Sequence, residues 1–217
     1  MAPNLNHSLN PDKALIFRIT HRANVPWLLA HGLYCRTAHQ QDPNFVTIGN
    51  RDLIASRNDR AIDGPHGGTL SDYIPFYFTP FSPMLLNVVT GRGVPKQPKE
   101  DIVVLVSSLP KVQQHKIPFV FTDRHASLVE ARFSNQLENL AEFVPWELLR
   151  ARDFSGNPEV PDKMVRYMAE ALVYHYMPSS ALLGLGTYTD NVRSDIEAQA
   201  ASLGVQLTVL TRPNWFF

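Results

Sequence analysis

The chain has a single cysteine, Cys35, so no disulfide can form within it. A lone cysteine is typical of a protein from a reducing compartment, and it is more often a small buried side chain than a catalytic thiol. No stretch approaches the roughly 20 apolar residues that a membrane helix needs. The opening residues, MAPNLNHSLNPDK, also lack the basic start and apolar run of a secretion signal. We therefore expect a cytoplasmic protein without membrane contact.

The chain also lacks an excess of charge, because 20 Lys and Arg residues balance 20 Asp and Glu residues. Proteins that coat duplex DNA nonspecifically are usually basic overall, so any contact with nucleic acid must come from a local groove. A hydrophobic content of 44% excludes wholesale disorder. The length of 217 residues fits one domain, and no linker or repeat interrupts it. We expect a single domain over 1–217, with a loose segment at 1–13.

Several motifs of common enzyme classes are absent from the sequence. It has no P-loop, no Rossmann glycine fingerprint, no H-E-x-x-H, no paired-cysteine zinc pattern and no G-x-S-x-G elbow. The eight histidines are scattered rather than spaced as metal ligands. We expect no metal site.

The hydrophobic pattern predicts alternating strands and helices in an α+β or mixed α/β domain. Periodicity leaves open whether 171–176 continues the helix that begins near Met164 or forms a strand, and 35–72 reads as a long loop region. The predicted strands cover 14–20, 73–78, 102–107, 119–122 and 205–210. One predicted helix begins after an N-cap at Asn24 and stops at Gly32. The other predicted helices cover 50–58, 82–89, 127–150 with a break near Pro145, and 190–203.

Glu170 is the strongest functional candidate, because it lies inside the apolar run RYMAEALV at 166–173. Burying a carboxylate without partners costs on the order of several kcal/mol, and hydrogen bonds or an ion pair can offset that cost. An acid in such a run is therefore either part of a structural ion pair or functional.

Three further groups of polar and aromatic residues stand out. ITH at 19–21 ends a strand with Thr20 and His21, whose ring nitrogen is suited to a sugar hydroxyl. Arg51 and Arg57 are suited to a pyrophosphate, because a guanidinium bonds two oxygens at once. The aromatic run that includes Tyr77 and Phe78 suits both a core and a platform for a flat ring.

Together these motifs resemble the DarT family, bacterial toxins that ADP-ribosylate single-stranded DNA and are paired with a macrodomain antitoxin. The similarity runs in order along nearly the whole chain. It is carried by FRITHRANVPWLLAHGL at 17–33, IGNRDLIASR at 48–57, GGTLSDYIPFYFTPFSPML at 67–85, FTDRHA at 121–126, RYMAEALV at 166–173 and RPNWFF at 212–217.

The resemblance implies an α+β ADP-ribosyltransferase fold, with two facing sheets around a central NAD cleft. Glu170 and Arg57 would be catalytic, and the loop at 153–163 would shape the target site. The residues implied on the NAD side are Thr20, His21, Asn24, Arg51, Tyr77 and Phe78, and those implied on the DNA side are His125 and Met84. The implied partners are NAD as co-substrate, single-stranded DNA and a DarG-like macrodomain antitoxin.

Three readings of the function remain open at the level of sequence. The favoured reading is transfer to a DNA base, thymidine before guanosine. The second keeps the cleft but changes the acceptor to water, RNA or protein. The third is an inactive NAD-binding or nucleic-acid-binding module, which an intact Glu170 disfavours.

Overall fold

The computed structural model describes residues 7–62, 64–155 and 161–217. Within those residues the chain forms ten strands and eight α-helices. The strands are β1 (Leu15–His21), β2 (Leu33–Tyr34), β3 (Tyr73–Tyr77), β4 (Ile102–Ser108), β5 (Phe119–Thr122), β6 (Phe133–Ser134), β7 (Glu170–Tyr174), β8 (Tyr176–Met177), β9 (Gly184–Thr187) and β10 (Thr208–Thr211). The helices are α1 (Val25–His31), α2 (Arg51–Ser56), α3 (Pro83–Thr90), α4 (Leu109–Gln114), α5 (Leu140–Phe143), α6 (Trp146–Ala151), α7 (Lys163–Tyr167) and α8 (Asp190–Ser202).

Eight of the strands form one mixed sheet in the order β10-β9-β4-β1-β3-β7-β5-β6. Strands β1 and β4 pair over their whole length, from Leu15↔Ser108 to His21↔Ile102. Strands β1 and β3 pair only at Phe17↔Tyr77. The two sheets expected from the resemblance are thus two four-stranded halves, joined at one narrow junction. The α+β class is confirmed.

Local sequence signals explain the starts of four of the eight helices and the end of one. The side chains of Asn50, Ser82, Ser108 and Thr189 accept backbone hydrogen bonds at the starts of α2, α3, α4 and α8. At the end of α3, Gly91 takes a left-handed conformation with φ of 81°, which costs glycine nothing. The core lies on both half-sheets, and its most buried members include Ile16, Phe76, Val104 and Ala171.

The structure corrects two of the sequence predictions. Residues 127–136 are not helical, because Phe133 and Ser134 pair with β5 and the residues before them form turns. Residues 1–6 lie outside the described part of the chain, but Leu9 is packed in the core and its carbonyl accepts a hydrogen bond from Arg150 Nη1 at 3.0 Å. The packed part of the domain therefore includes Leu9, which lies inside the segment 1–13 that was expected to be loose.

Candidate active site

Glu170 is the first residue of β7, a strand in the middle of the sheet. It lies directly opposite Tyr77 of β3, and its backbone N–H donates to Thr122 Oγ1 at 2.9 Å. The β-prone run that follows it resolves the ambiguity at 171–176, since α7 ends at Tyr167 and the chain continues as β7. Because directly opposed residues share a face, Glu170 and Tyr77 project to the same side of the sheet.

The Glu170 carboxylate is 2% exposed and has two partners. Ala126 N–H donates to Oε1 at 3.1 Å, and Arg57 lies against both oxygens, with Nη1 3.4 Å from Oε1 and Nη2 3.0 Å from Oε2. Arg57 Nη2 is buried but makes no well-directed hydrogen bond, so charge holds this pair more than hydrogen-bond geometry does. The pair places a guanidinium directly against the buried Glu170 carboxylate.

Arg57 reaches this position because it caps the C-terminal end of α2. Arg51 starts the same helix and is exposed, whereas the hydrogen bonds and the ion pair found at the Glu170 carboxylate within the described ranges come from Arg57 and Ala126. The sequence suggested that both arginines line one pocket. In the structure they lie at opposite ends of α2, and Arg57 is the one that contacts the Glu170 carboxylate.

The loop that supplies Ala126 is held by ionic contacts. Asp123 is buried and accepts from Arg132 N at 3.0 Å, Arg132 Nε at 3.0 Å and Arg124 Nη2 at 3.4 Å. Burial alone would raise the pKa of Asp123, but these hydrogen bonds outweigh it and hold the pKa below its ordinary value. His125, predicted on the DNA side, is partly exposed next to Ala126, and its Nδ1 accepts from Ser127 N at 3.2 Å.

A second polar group lies at the end of β1. His21 Nδ1 accepts from Ala23 N at 3.1 Å, which in the neutral imidazole leaves the proton on Nε2. Asn24 is 1% exposed. The sequence predicted that its side chain caps α1, but in the structure it makes no capping hydrogen bond to that helix. Instead Asn24 donates to Thr20 Oγ1 and to Val46 O, and accepts from Val46 N, at 2.8–3.0 Å. Asn24 is thus a clamp on the segment that leads to α2.

The two aromatic candidates, Tyr77 and Phe78, are consecutive residues, so their side chains point to opposite faces of the sheet. Phe78 is 1% exposed and packs edge-on against Phe121 and Trp146, so its ring belongs to the core. Tyr77 shares the side of Glu170, and burial, followed by the charge of Glu170, raises the pKa of its phenol, which stays neutral at physiological pH. Met84 lies in the first turn of α3, partly buried against the core.

Arg18 is a site residue that the sequence reasoning did not single out. It interacts electrostatically with Arg57, Tyr77 and Glu170, and its Nη1 donates to Pro75 O at 2.9 Å. Removal from water, followed by the charge of Arg57, lowers the pKa of Arg18 to about 10. The sequence contains a signal for this residue, because Arg18 is the only charged residue of β1 and its side chain lies on the same face of the strand as Thr20.

The loop predicted to shape the target site is only partly described. Lys163 Nζ lies 2.5 Å from Asp153 Oδ2 and 3.0 Å from Ser155 O, which ties the two ends of the loop together. The hydrogen bond from Lys163 lowers the pKa of Asp153. Residues 156–160 lie outside the described part of the chain. In the described ranges, no group of acidic, histidine or cysteine residues is arranged to hold a metal, and no helix is long and apolar enough to cross a membrane.

A buried glutamate that opens an interior strand, with an arginine on its carboxylate and a histidine at the end of β1, two strands away in the same sheet, fits an ADP-ribosyltransferase. Comparison with solved structures agrees. Thermus sp. 2.9 DarT in complex with ADP-ribosylated ssDNA matches with a TM-score of 0.86 and 32% identity, over 95% of this chain and 98% of that one. The same protein in complex with NAD+ matches with a TM-score of 0.81 over 95% and 99%.

Sequence comparison gives the family. The model of the family described as "ssDNA thymidine ADP-ribosyltransferase, DarT" matches residues 17–217. A DNA ADP-ribosyl transferase of Escherichia coli O127:H6 (strain E2348/69 / EPEC) is 45% identical over 218 residues, covering 100% of both chains. Thermosipho africanus DarTG in complex with ADP-ribose shares the fold, with a TM-score of 0.73 and 18% identity, over 94% of this chain and 51% of that one. The chain belongs to the DarT family of NAD-dependent DNA ADP-ribosyltransferases.

Proposed function

We propose that this protein transfers ADP-ribose from NAD to a thymidine base in single-stranded DNA, releases nicotinamide, and serves as the toxin of a bacterial toxin–antitoxin pair. The observation that most strongly supports this proposal is the buried Glu170 carboxylate, which contacts Arg57 and accepts a hydrogen bond from the Ala126 N–H. The family description names single-stranded DNA and thymidine, and the Thermus relative is known with ADP-ribosylated ssDNA.

The side chains around Glu170 and at the end of β1 suit the reactants chemically. His21 Nε2–H is free to donate to a ribose hydroxyl, because Nδ1 is already used. Tyr77 offers a neutral aromatic ring beside Glu170 for the nicotinamide, a role that buried Phe78 is not placed to take. Thr20 and Asn24 act by fixing the segment before α2 rather than by direct contact, since both side chains already bond to each other.

Glu170 would do the main work of catalysis. Cleavage of the bond between nicotinamide and ribose leaves positive charge on the sugar, and a preorganised carboxylate stabilises that charge as it develops. The carboxylate needs no desolvation at that moment, because it is already buried. Arg57 would then turn from Glu170 towards the incoming base, which it orients through its N–H groups.

The accessible side of the site favours a single strand over a duplex. The net charge of zero provides no broad basic face to grip a duplex. Extracting a base from a duplex costs a few kcal/mol, whereas an unpaired base is already available. We assign His125, together with Asp153, Ser155 and Lys163 at the described ends of the 153–163 loop, to the side of the site that receives DNA.

The test is a comparison of matched single and double strands with labelled NAD over a salt series. We expect the single strand to be modified at least about tenfold faster, with a shallow salt dependence because few phosphates are neutralised. Mass spectrometry of the oligonucleotide should place the added ADP-ribose on thymidine; guanosine is the runner-up. Equal rates on both forms would contradict the cleft assignment, and free ADP-ribose as sole product would favour an NAD glycohydrolase.

The same proposal includes a protein partner. The Thermosipho DarTG chain is about twice as long as its matching part, and that protein binds ADP-ribose. A macrodomain antitoxin fits this pattern, and the bacterial relatives favour a cytoplasmic enzyme. Co-expression with a DarG-like macrodomain should restore growth to cells that this protein inhibits; persistent inhibition would argue against the pairing.

A further inference from the structure

Val129 is the most exposed large apolar side chain among the residues that the structure describes. It is 82% exposed, and Leu53 comes next at 47%. A single exposed valine is common on protein surfaces, and exposure by itself indicates nothing. Val129 differs from such residues in where it lies and in how firmly its backbone is held, and both features connect it to the site around Glu170.

The loop that carries Val129 begins at the Glu170 carboxylate. Ala126 N–H donates to Glu170 Oε1 at 3.1 Å, and Val129 follows three residues later. Three residues span at most about 11 Å, so the Cα atom of Val129 lies within that distance of the Cα atom of Ala126. Successive bases of one strand are about 3.4 Å apart in a duplex and farther apart in an extended single strand. A strand whose acceptor base lies at Glu170 therefore brings its next few bases within reach of Val129.

Two consecutive turns and one arginine fix the backbone around Val129. Leu128 N donates to His125 O at 3.1 Å, and Ala131 N donates to Leu128 O at 3.2 Å. Arg60 Nη2 donates to Leu128 O at 3.0 Å and reaches Val129 O at 3.5 Å. The valine side chain is itself stiff about χ1, because its Cβ atom is branched. Val129 thus presents a preformed apolar surface, and a ligand that packs on it costs the loop little conformational entropy.

The charges around the turn favour a base over a phosphate as the group that contacts Val129. Glu130 is exposed directly after it, and its carboxylate would repel a phosphate. The guanidinium of Arg60, which would attract a phosphate, already donates to backbone carbonyls. An apolar side chain packs instead on a base, either on its face or on a methyl group such as that of thymine.

We propose that Val129 packs against a base that lies within about three nucleotides of the acceptor base in single-stranded DNA. This inference rests on the proposed function and adds to it a residue that selects the sequence around the acceptor. It is continuous with the DNA-facing side already assigned to His125, which belongs to the same loop. The contact holds the strand outside the reacting centre, so it contributes to binding of DNA and not to cleavage of NAD.

The variants Val129→Ser and Val129→Leu test this contact, with Leu210→Ser as the matched control. Leu210 is 41% exposed on β10, the edge strand at the far end of the sheet order from β5 and β6. Each enzyme is assayed on single strands that contain one thymidine, first intact and then with an abasic spacer at each of the three positions on either side. Transfer is measured against strand concentration at saturating NAD, and NAD hydrolysis is measured without DNA.

We expect Val129→Ser to raise KM for the intact strand about fivefold, the order expected when a valine loses a partly buried contact, and to leave kcat and NAD hydrolysis unchanged. A spacer at the contacted position should raise KM of the wild-type enzyme by a similar factor. It should have little further effect on Val129→Ser, because the two changes remove the same contact. Val129→Leu, which stays apolar, and Leu210→Ser should both keep KM near the wild-type value.

An unchanged KM for Val129→Ser on the intact strand would overturn the inference. A raised KM that stays as sensitive to the spacer as that of the wild-type enzyme would overturn it too, since the lost contact would then not be with a base. Loss of NAD hydrolysis together with transfer would assign Val129 to the structure of the loop alone. All three results leave the proposed function standing, because the wild-type enzyme still modifies the intact strand. Its failure to do so would contradict the proposed function itself.

Discussion

Replacing Glu170 by Gln removes one charge from the site and almost nothing else. The amide oxygen still accepts from the Ala126 N–H, and the side chain keeps its volume. The lost charge is not replaced by water, because the position is 2% exposed. Removal of one preorganised electrostatic contact costs on the order of 10²–10³ in rate, or about 3–4 kcal/mol. We expect transfer to DNA to fall by at least that factor.

The same substitution also bears on stability. Breaking a buried ion pair by removing one partner costs about 3–5 kcal/mol when the remaining charge is trapped. Arg57 is 14% exposed and can turn outward, so a smaller loss of about 1–3 kcal/mol in the free energy of unfolding is the expectation. Glu170→Ala should behave similarly in rate, and NAD binding should largely survive in both variants.

The assay combines transfer of labelled ADP-ribose to a single-stranded oligonucleotide, calorimetric titration with NAD, and denaturant unfolding. Glu142→Gln is the control, because Glu142 is 69% exposed and pairs with Arg132 away from the carboxylate. Its transfer rate should stay at the wild-type level. Near-wild-type modification of DNA by Glu170→Gln would refute the assignment of Glu170.

Three further expectations follow from the same geometry. Arg57→Ala should reduce transfer to DNA more than NAD hydrolysis, measured as the two products of one reaction; equal losses would make Arg57 an NAD-binding residue. Asn24→Ala removes both hydrogen bonds to Val46, so we expect a loss of about 2–3 kcal/mol in the free energy of unfolding and a raised KM for NAD; an unchanged KM would show that the clamp does not serve the site. Asp123 has a lowered pKa, so its stabilisation is present above the unfolded pKa of about 3.9 and is lost as pH falls further. Asp123→Asn should flatten the acid unfolding curve, and an unchanged curve would contradict that account.

The sequence pattern predicted the parts of the site whose signals are local. Glu170 stood out because an acid in an apolar run needs partners, and the partners are Arg57 and Ala126 N–H. The helix carrying Arg57 was predicted within two residues of its observed bounds, since Asn50 is a strong N-cap. The strand at β7 could not be told from a helix, because a short apolar run satisfies both periods.

Features set by tertiary packing could not be predicted. Strand β9 contains two glycines and lacks a strand signature, yet a Cβ at Gly184 would lie 2.6 Å from Thr208 O, and one at Gly186 would lie 2.6 Å from Trp215. Those glycines allow close approach rather than a turn. Arg18 was overlooked for a related reason, because an arginine in a strand reads as solvent-facing until its neighbours across the sheet are known.

The sheet order has a consequence for how activity appears during synthesis. Strand β7 lies between β3 and β5, both of which are made earlier, and it carries the carboxylate. Domains tend to fold as units while the chain emerges from the ribosome, N-terminal parts first. Until Glu170–Tyr174 has emerged, β3 and β5 have no shared partner and Arg57 has no counter-ion. We therefore expect a chain cut short before β7 to lack transfer activity, because it lacks the Glu170 carboxylate.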